Sequence, residues 1–176
     1  KAATMRALLD KLYLVSGLLS GFCIVLITLI ITTQIVGRMF DFIVPSAEDF
    51  SGYALAAATF FGLAYTFRTG SHIRVTLVIQ NWSKRSRYIQ ELLVLIFALL
   101  LTSFMSFYSV HMVWESYIFE EVSSGYVSVP IWIPQVPVAL GLVILNIAVL
   151  DDVIAVLRRR TPSYKASEAE LHLEEI

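Results

Sequence analysis

The sequence predicts an all-α membrane protein of four transmembrane helices, with a short cytoplasmic interfacial helix between the second and third. Two observations predict it. Hydrophobic residues make up 57% of the 176-residue chain and charged residues only 15%, with a mean hydropathy of +0.75; a soluble domain is nearer half apolar and a quarter charged. The second is where the charges fall. The stretches 12–36, 50–67, 92–114 and 131–150 contain no Lys, Arg, Asp or Glu, and all 27 such residues lie elsewhere. A helix crosses a hydrocarbon core of roughly 30 Å in about 20 apolar residues, and each stretch is close to that. In lipid the backbone must satisfy itself, so each is a helix; none shows the alternation of a barrel strand. This pattern excludes a soluble globular domain, a disordered chain and a nucleic-acid binder. The whole chain, 1–176, is expected to be a single membrane domain ending in a polar cytoplasmic tail at 161–176.

The first stretch is too long for the apolar region of a signal peptide, and no small-residue cleavage site follows it, so it is expected to be a retained helix. Cys23, the one cysteine, sits within it. A single cysteine leaves no disulfide framework within the chain and no multi-cysteine metal site. The first connection contains Pro45 and then Ser46. Ser46 with Asp49 three residues on fits a capping box, so the second helix should begin near Ala47. Glu48 and Asp49 then sit at its positive dipole end, where acids are favourable; the alternative is that one of them faces a partner subunit.

The second connection, 68–88, mixes apolar and polar residues. Gly70 is placed to terminate the second helix. Residues 73–82 are expected as the interfacial helix. Lys84, Arg85 and Arg87 then form a basic turn suited to anionic phospholipid headgroups. The third connection carries Glu115, Glu120 and Glu121, and Pro130, Pro134 and Pro137 follow. Proline interrupts a helix interior, so the fourth helix is expected to start irregularly and to be regular from Pro137 onward. Trp114, Tyr117, Tyr126 and Trp132 gather near this edge as an aromatic belt does.

Basic residues set the orientation. Twelve of the thirteen Lys and Arg fall in the N-terminal segment, the second connection and the tail; the first connection has only Arg38 and the third none. The positive-inside rule then puts both termini and the second connection in the cytoplasm.

Chemistry-bearing motifs are few. Charged residues inside a span mark ion or substrate paths, and the four stretches hold none. That counts against a proton-coupled pump, a multidrug exporter with a mid-span glutamate and a voltage sensor. His111 lies one turn from the periplasmic edge and reads as an interfacial hydrogen-bonding group. No HExxH and no metal-spaced Asp and His cluster occurs; Asp151 and Asp152 are an isolated acidic pair. No catalytic residue, cofactor site or metal site is expected, and the protein is not read as an enzyme. Gly17 and Gly21 form a GxxxG pair, and Ala54, Ala58 and Gly62 repeat at spacing four. Such faces allow close helix approach, either within the four helices or against a second membrane protein. Four thin helices with no polar interior make a poor autonomous machine, which favours a partner.

Gly62, Arg68, Gly70, His72, Ile73, Arg74 and Val75 lie in one run across the end of the second helix. That run resembles the signature of the small membrane subunit of tripartite ATP-independent periplasmic (TRAP) transporters, the DctQ-like family. Pro130 and Trp132 resemble the family's Pro-x-Trp lead into helix four, and Arg38, Met39 and Phe40 its end of helix one. The resemblance spans roughly 13–160. It implies a scaffold subunit in the bacterial inner membrane that anchors and enlarges the static part of a large membrane subunit. That large subunit carries the substrate and sodium sites and moves as an elevator. A soluble periplasmic binding protein delivers an organic acid such as a dicarboxylate, a sialic acid or a sulfonate. The chain ends in a polar tail, as expected of the separate rather than the fused form. Arg68, His72 and Arg74 are expected to lock the second helix to the interfacial helix; the alternative is that Arg68 and Arg74 are ordinary snorkelling residues. Another class of reading is a free-standing four-helix assembly or structural protein of a different complex.

Overall fold

The computed structural model describes residues 2–68 and 84–158. The expected interfacial helix at 73–82, and with it Gly70, His72, Ile73 and Arg74, lies outside the described residues, as does the tail at 161–176. Among the described residues there are four α-helices: α1 (Ala2–Met39), α2 (Ala47–Arg68), α3 (Lys84–Ile118) and α4 (Trp132–Leu157). All four are long and apolar enough to cross a membrane. There is no strand among the described residues, only an isolated bridge between Val122 and Pro130.

The helices run past the charge-free stretches. At 1.5 Å per residue, α1 with 38 residues reaches about 57 Å and α3 with 35 about 52 Å, well beyond a core of roughly 30 Å. A helix ends where its backbone is otherwise satisfied, which the first charged residue does not dictate. α1 closes at Gly37: the amides of Phe40 and Phe42 donate to the Gly37 carbonyl at 3.0 and 2.9 Å, and Asp41 turns the chain at φ 54°.

Two local expectations change. α2 does begin at Ala47, but Ser46 is left-handed, with φ 55°, whereas an N-cap is normally extended. Its Oγ accepts the Val127 amide at 2.9 Å instead: the third connection has recruited the hydroxyl. α4 is regular from Trp132, five residues ahead of Pro137. Pro134 falls in the first turn, where a helical N–H has no intrahelical partner to lose, so Pro137 is the proline inside the helix. The Gln135 amide still reaches the Ile131 carbonyl at 3.4 Å.

The four helices stand in a row. α1 packs on α2, α2 on α4 and α4 on α3, while α1 barely meets α4. The apolar segment of α4 is 44% buried and that of α1 only 6%. From Tyr13 on, the residues of α1 that escape exposure are Tyr13, Ser16, Gly17, Ser20, Cys23, Ile27, Ile30, Gln34 and Gly37. On α3 the corresponding seam runs through Leu92, Leu95, Leu99, Thr102, Ser106, Ser109, Val113 and Ser116. Spacings that alternate three and four make a seam for one neighbour. Outside these seams both flanking helices expose many large apolar side chains, among them Leu18, Phe22 and Leu29 on α1 and Leu93, Phe97 and Leu100 on α3.

The terminal end of the row gathers the start of α1, the end of α2, the start of α3 and the end of α4. The loop end carries 40–46 and 119–131.

Candidate functional site

The best-defined polar site lies at the terminal end and centres on Arg68, the last residue of α2. Its Nη2 donates to Asp10 Oδ1 on α1 at 2.8 Å, and its Nη1 to Asp151 Oδ2 on α4 at 3.3 Å. The guanidinium also lies 5.3 Å from the centroid of the Tyr13 ring. Arg68 and Asp151 are partly buried and Asp10 mostly exposed, and Tyr13 is buried. The planar fork of arginine meets two carboxylates and an aromatic face at once, which an ammonium cannot do. Three helices are thus tied together at one guanidinium. Below it, Leu95, Val153 and Val156 form an apolar core with Phe67, Leu92 and Leu99 against them.

Small residues set the α1–α2 contact. Ser16 Oγ donates to the Phe61 carbonyl and Ser20 Oγ to the Ala58 carbonyl, each at 2.7 Å. A Cβ on Gly17 would sit 2.8 Å from the Tyr65 ring, and one on Gly62 3.0 Å from Ser20 Oγ. Gly21 faces open space instead, so the two glycines of the GxxxG pair do different things. Ala54 and Ala58 are buried inside the row. α2 and α4 approach closely at Gly141, where a Cβ would lie 2.6 Å from the Phe60 carbonyl carbon.

The interior is not devoid of polar groups, contrary to the sequence expectation. Asn146, near the middle of α4, offers Oδ1 to Thr102 Oγ1 and Ser103 Oγ on α3, each at 3.0 Å. Thr102 Oγ1 also lies 2.9 Å from the Ala98 carbonyl and 3.3 Å from that of Leu99, so its one proton has three acceptors within reach. Uncharged amides and hydroxyls pair at modest cost where a charge would not, which is how polar residues occupy charge-free spans.

At the loop end, residues 119–131 fold into a small hairpin. Ser123 N donates to Val129 O at 2.8 Å, and Ile131 N to Glu121 O at 3.0 Å. Ser116 Oγ donates to Glu121 Oε2 at 2.8 Å. Gly125 packs against the Asp49 carboxylate so closely that no side chain fits there. His111 Nδ1 lies 3.4 Å from Glu115 Oε2, one turn on, with both groups half-exposed, and its ring stacks on Phe107. Tyr117 and Trp132 meet edge to face at 5.7 Å.

Arg85, one of the basic turn residues, is exposed on α3. Lys84 opens that helix and Arg87 follows in its first turn. Among the described residues, no group of three or more His, Cys, Asp or Glu could hold a metal ion. Asp10, Tyr13, Ser16, Ser20, Gly141 and Asn146 were not picked out in the sequence as site residues. Three of them left a signal: Asp10 as an acid just outside a charge-free run on the basic side, Gly141 as a mid-span glycine and Asn146 as an amide within an apolar run.

No curated protein matched the chain. Residues 27–159, from within α1 to just past the end of α4, match the family described as tripartite ATP-independent periplasmic transporters, DctQ component, and the chain belongs to that family.

Proposed function

We propose that this chain is the small scaffold subunit of a sodium-coupled transporter of organic acids, anchoring a large elevator-type subunit that carries the substrate and ion sites. The family membership carries the reading: the chain is one component of a tripartite transporter, and the proposed partners are a large membrane subunit and a soluble periplasmic binding protein. Two properties of the chain agree with it. The middles of its four helices hold no charged residue, as suits a part that moves no ion. A row of helices encloses no path, and its apolar flanks suit a part built onto something larger. An elevator needs one part held still while another slides. The Arg68 junction, which ties α1, α2 and α4, serves that rigidity, and His72 and Arg74 of the same motif, outside the described residues, are proposed to share the role. The family supports a bacterial inner-membrane location, and the bias of basic residues supports both termini in the cytoplasm.

Co-expression tests this directly. The chain should co-purify with the large subunit, and its deletion should abolish sodium-driven uptake with the other two components present. A stable lone oligomer whose loss leaves uptake intact would refute the assignment and favour a free-standing assembly protein. Alkaline phosphatase fused after Gly125 should be active, and fused after Arg158 inactive; the reverse would invert the topology.

A further inference from the structure

The acids and bases of the terminal end are sorted by depth. Asp151 is engaged by Arg68 and Asp152 is 1% exposed. Asp10 is exposed but held by the same guanidinium. Arg6, Lys11, Arg85 and Arg158 are all exposed, and none of their charged groups has an ion pair among the described residues. The exposed charges of this end that have no ion pair among the described residues are therefore all basic.

Arg85 and Arg158 belong together. α3 and α4 pack side by side and antiparallel, with Leu92 and Leu95 against Val153 and Val156. The start of α3 therefore lies beside the end of α4. Arg85, Ile89 and Leu93 are spaced by four and share one face of α3. Leu150 and Ile154 do the same on α4, and Arg158 caps the end of that helix four residues on. All six are exposed; Ile89 and Leu93 are 48% and 61% exposed, Ile154 and Leu150 38% and 43%. Each helix thus presents a guanidinium above two turns of bare aliphatic side chains. The two stripes run from the same end of the same helix pair.

We propose that this pair of stripes is a binding site for an anionic phospholipid, with Arg85 and Arg158 holding the headgroup phosphate and Ile89, Leu93, Ile154 and Leu150 lining the acyl chains. Charge complementarity selects the occupant. A guanidinium matches a phosphate bidentately, and an aliphatic stripe continuing from it fits a ligand that is anionic at one end and hydrocarbon at the other. Inorganic phosphate would satisfy the first feature and leave the second unused. The site does not depend on the transport reading.

Native mass spectrometry of the full chain in detergent tests it, with phosphatidylglycerol, phosphatidylcholine and inorganic phosphate as probes. One phosphatidylglycerol should remain bound at activation energies that strip phosphatidylcholine. The double variant R85A/R158A should weaken phosphatidylglycerol binding by roughly tenfold or more, about 1.4 kcal/mol. R85K/R158K should retain part of it. R6A/K11A, which removes the same charge from the other flank, should change it little. Equal retention of both lipids, or equal loss in R85A/R158A and R6A/K11A, overturns the site in favour of diffuse attraction. Competition by millimolar inorganic phosphate overturns the lipid assignment. The substituted side chains are exposed, and an unchanged helical circular dichroism spectrum separates lost binding from lost folding.

Discussion

Arg68 joins three helices through one side chain, and its surroundings set the cost of removing it. An exposed ion pair contributes near zero, and breaking a buried one costs several kcal/mol. Arg68 is intermediate, with 23% of its side chain exposed, so Arg68→Ala should destabilise the chain by on the order of 1 kcal/mol. Arg68→Lys should recover part of that but lose the bidentate reach. Asp151→Asn should cost more than Asp10→Asn, because Asp151 is 32% exposed against 57% for Asp10. Thermal unfolding of the purified chain in detergent reads all four. The guanidinium was legible in the sequence as a motif residue, but its partners were not. Asp10 lies 58 positions away and Asp151 83 positions away, and no local pattern links them. Asn146 makes a similar case. Asn146→Leu should cost about 1 kcal/mol or less, since the Thr102 hydroxyl can turn wholly to the Ala98 carbonyl already within reach.

The helices themselves were largely readable. Freedom from charge located all four, because ionised groups are excluded from hydrocarbon whatever the fold. Their ends were less readable. Ser46 looked like a cap and became a partner of Val127. Pro134 looked like a breaker and fell where a proline costs nothing. Glycines show the same limit, since the letter does not say what stands opposite. Gly141→Ala should destabilise by about 1–3 kcal/mol through collision with the Phe60 backbone. Gly21→Ala should be neutral or stabilising by up to about 1 kcal/mol, gaining helix propensity with nothing to strike. Parallel melting curves distinguish the two. Gly125→Ala should push the hairpin off the Asp49 carboxylate. The expected outcome is faster protease cleavage within 119–131, with the melting temperature of the helices little changed.

For the whole molecule, the row explains why a chain with four spans has so little interior. α2 and α4 are the central members, and α1 and α3 are flanks that each commit one seam. Burying the flanks takes lipid, another protein or both. That is the physical basis for reading the chain as part of a larger assembly, and for placing a phospholipid on the α3–α4 pair. The small-residue contacts hold the row together internally at Gly17, Gly62, Ala54 and Ala58, leaving Gly21 open to whatever adjoins α1.

The sequence by itself determined that this chain lives in a bilayer, how many times it crosses, and which family signature it bears. These follow from the cost of charge in hydrocarbon and from residues adjacent along the chain. Which helices touch was decided only by the tertiary structure. In water, the face of a helix that packs is the apolar one, and periodicity reveals it. In lipid both surroundings are equally apolar, and association rests on close packing and a few hydrogen bonds. Leu18 on the exposed side of α1 and Leu95 in the α3 seam look alike as letters. Serines 16 and 20, glycine 141 and the two partners of Arg68 are what separate inside from outside, and they do so only once the helices are in place.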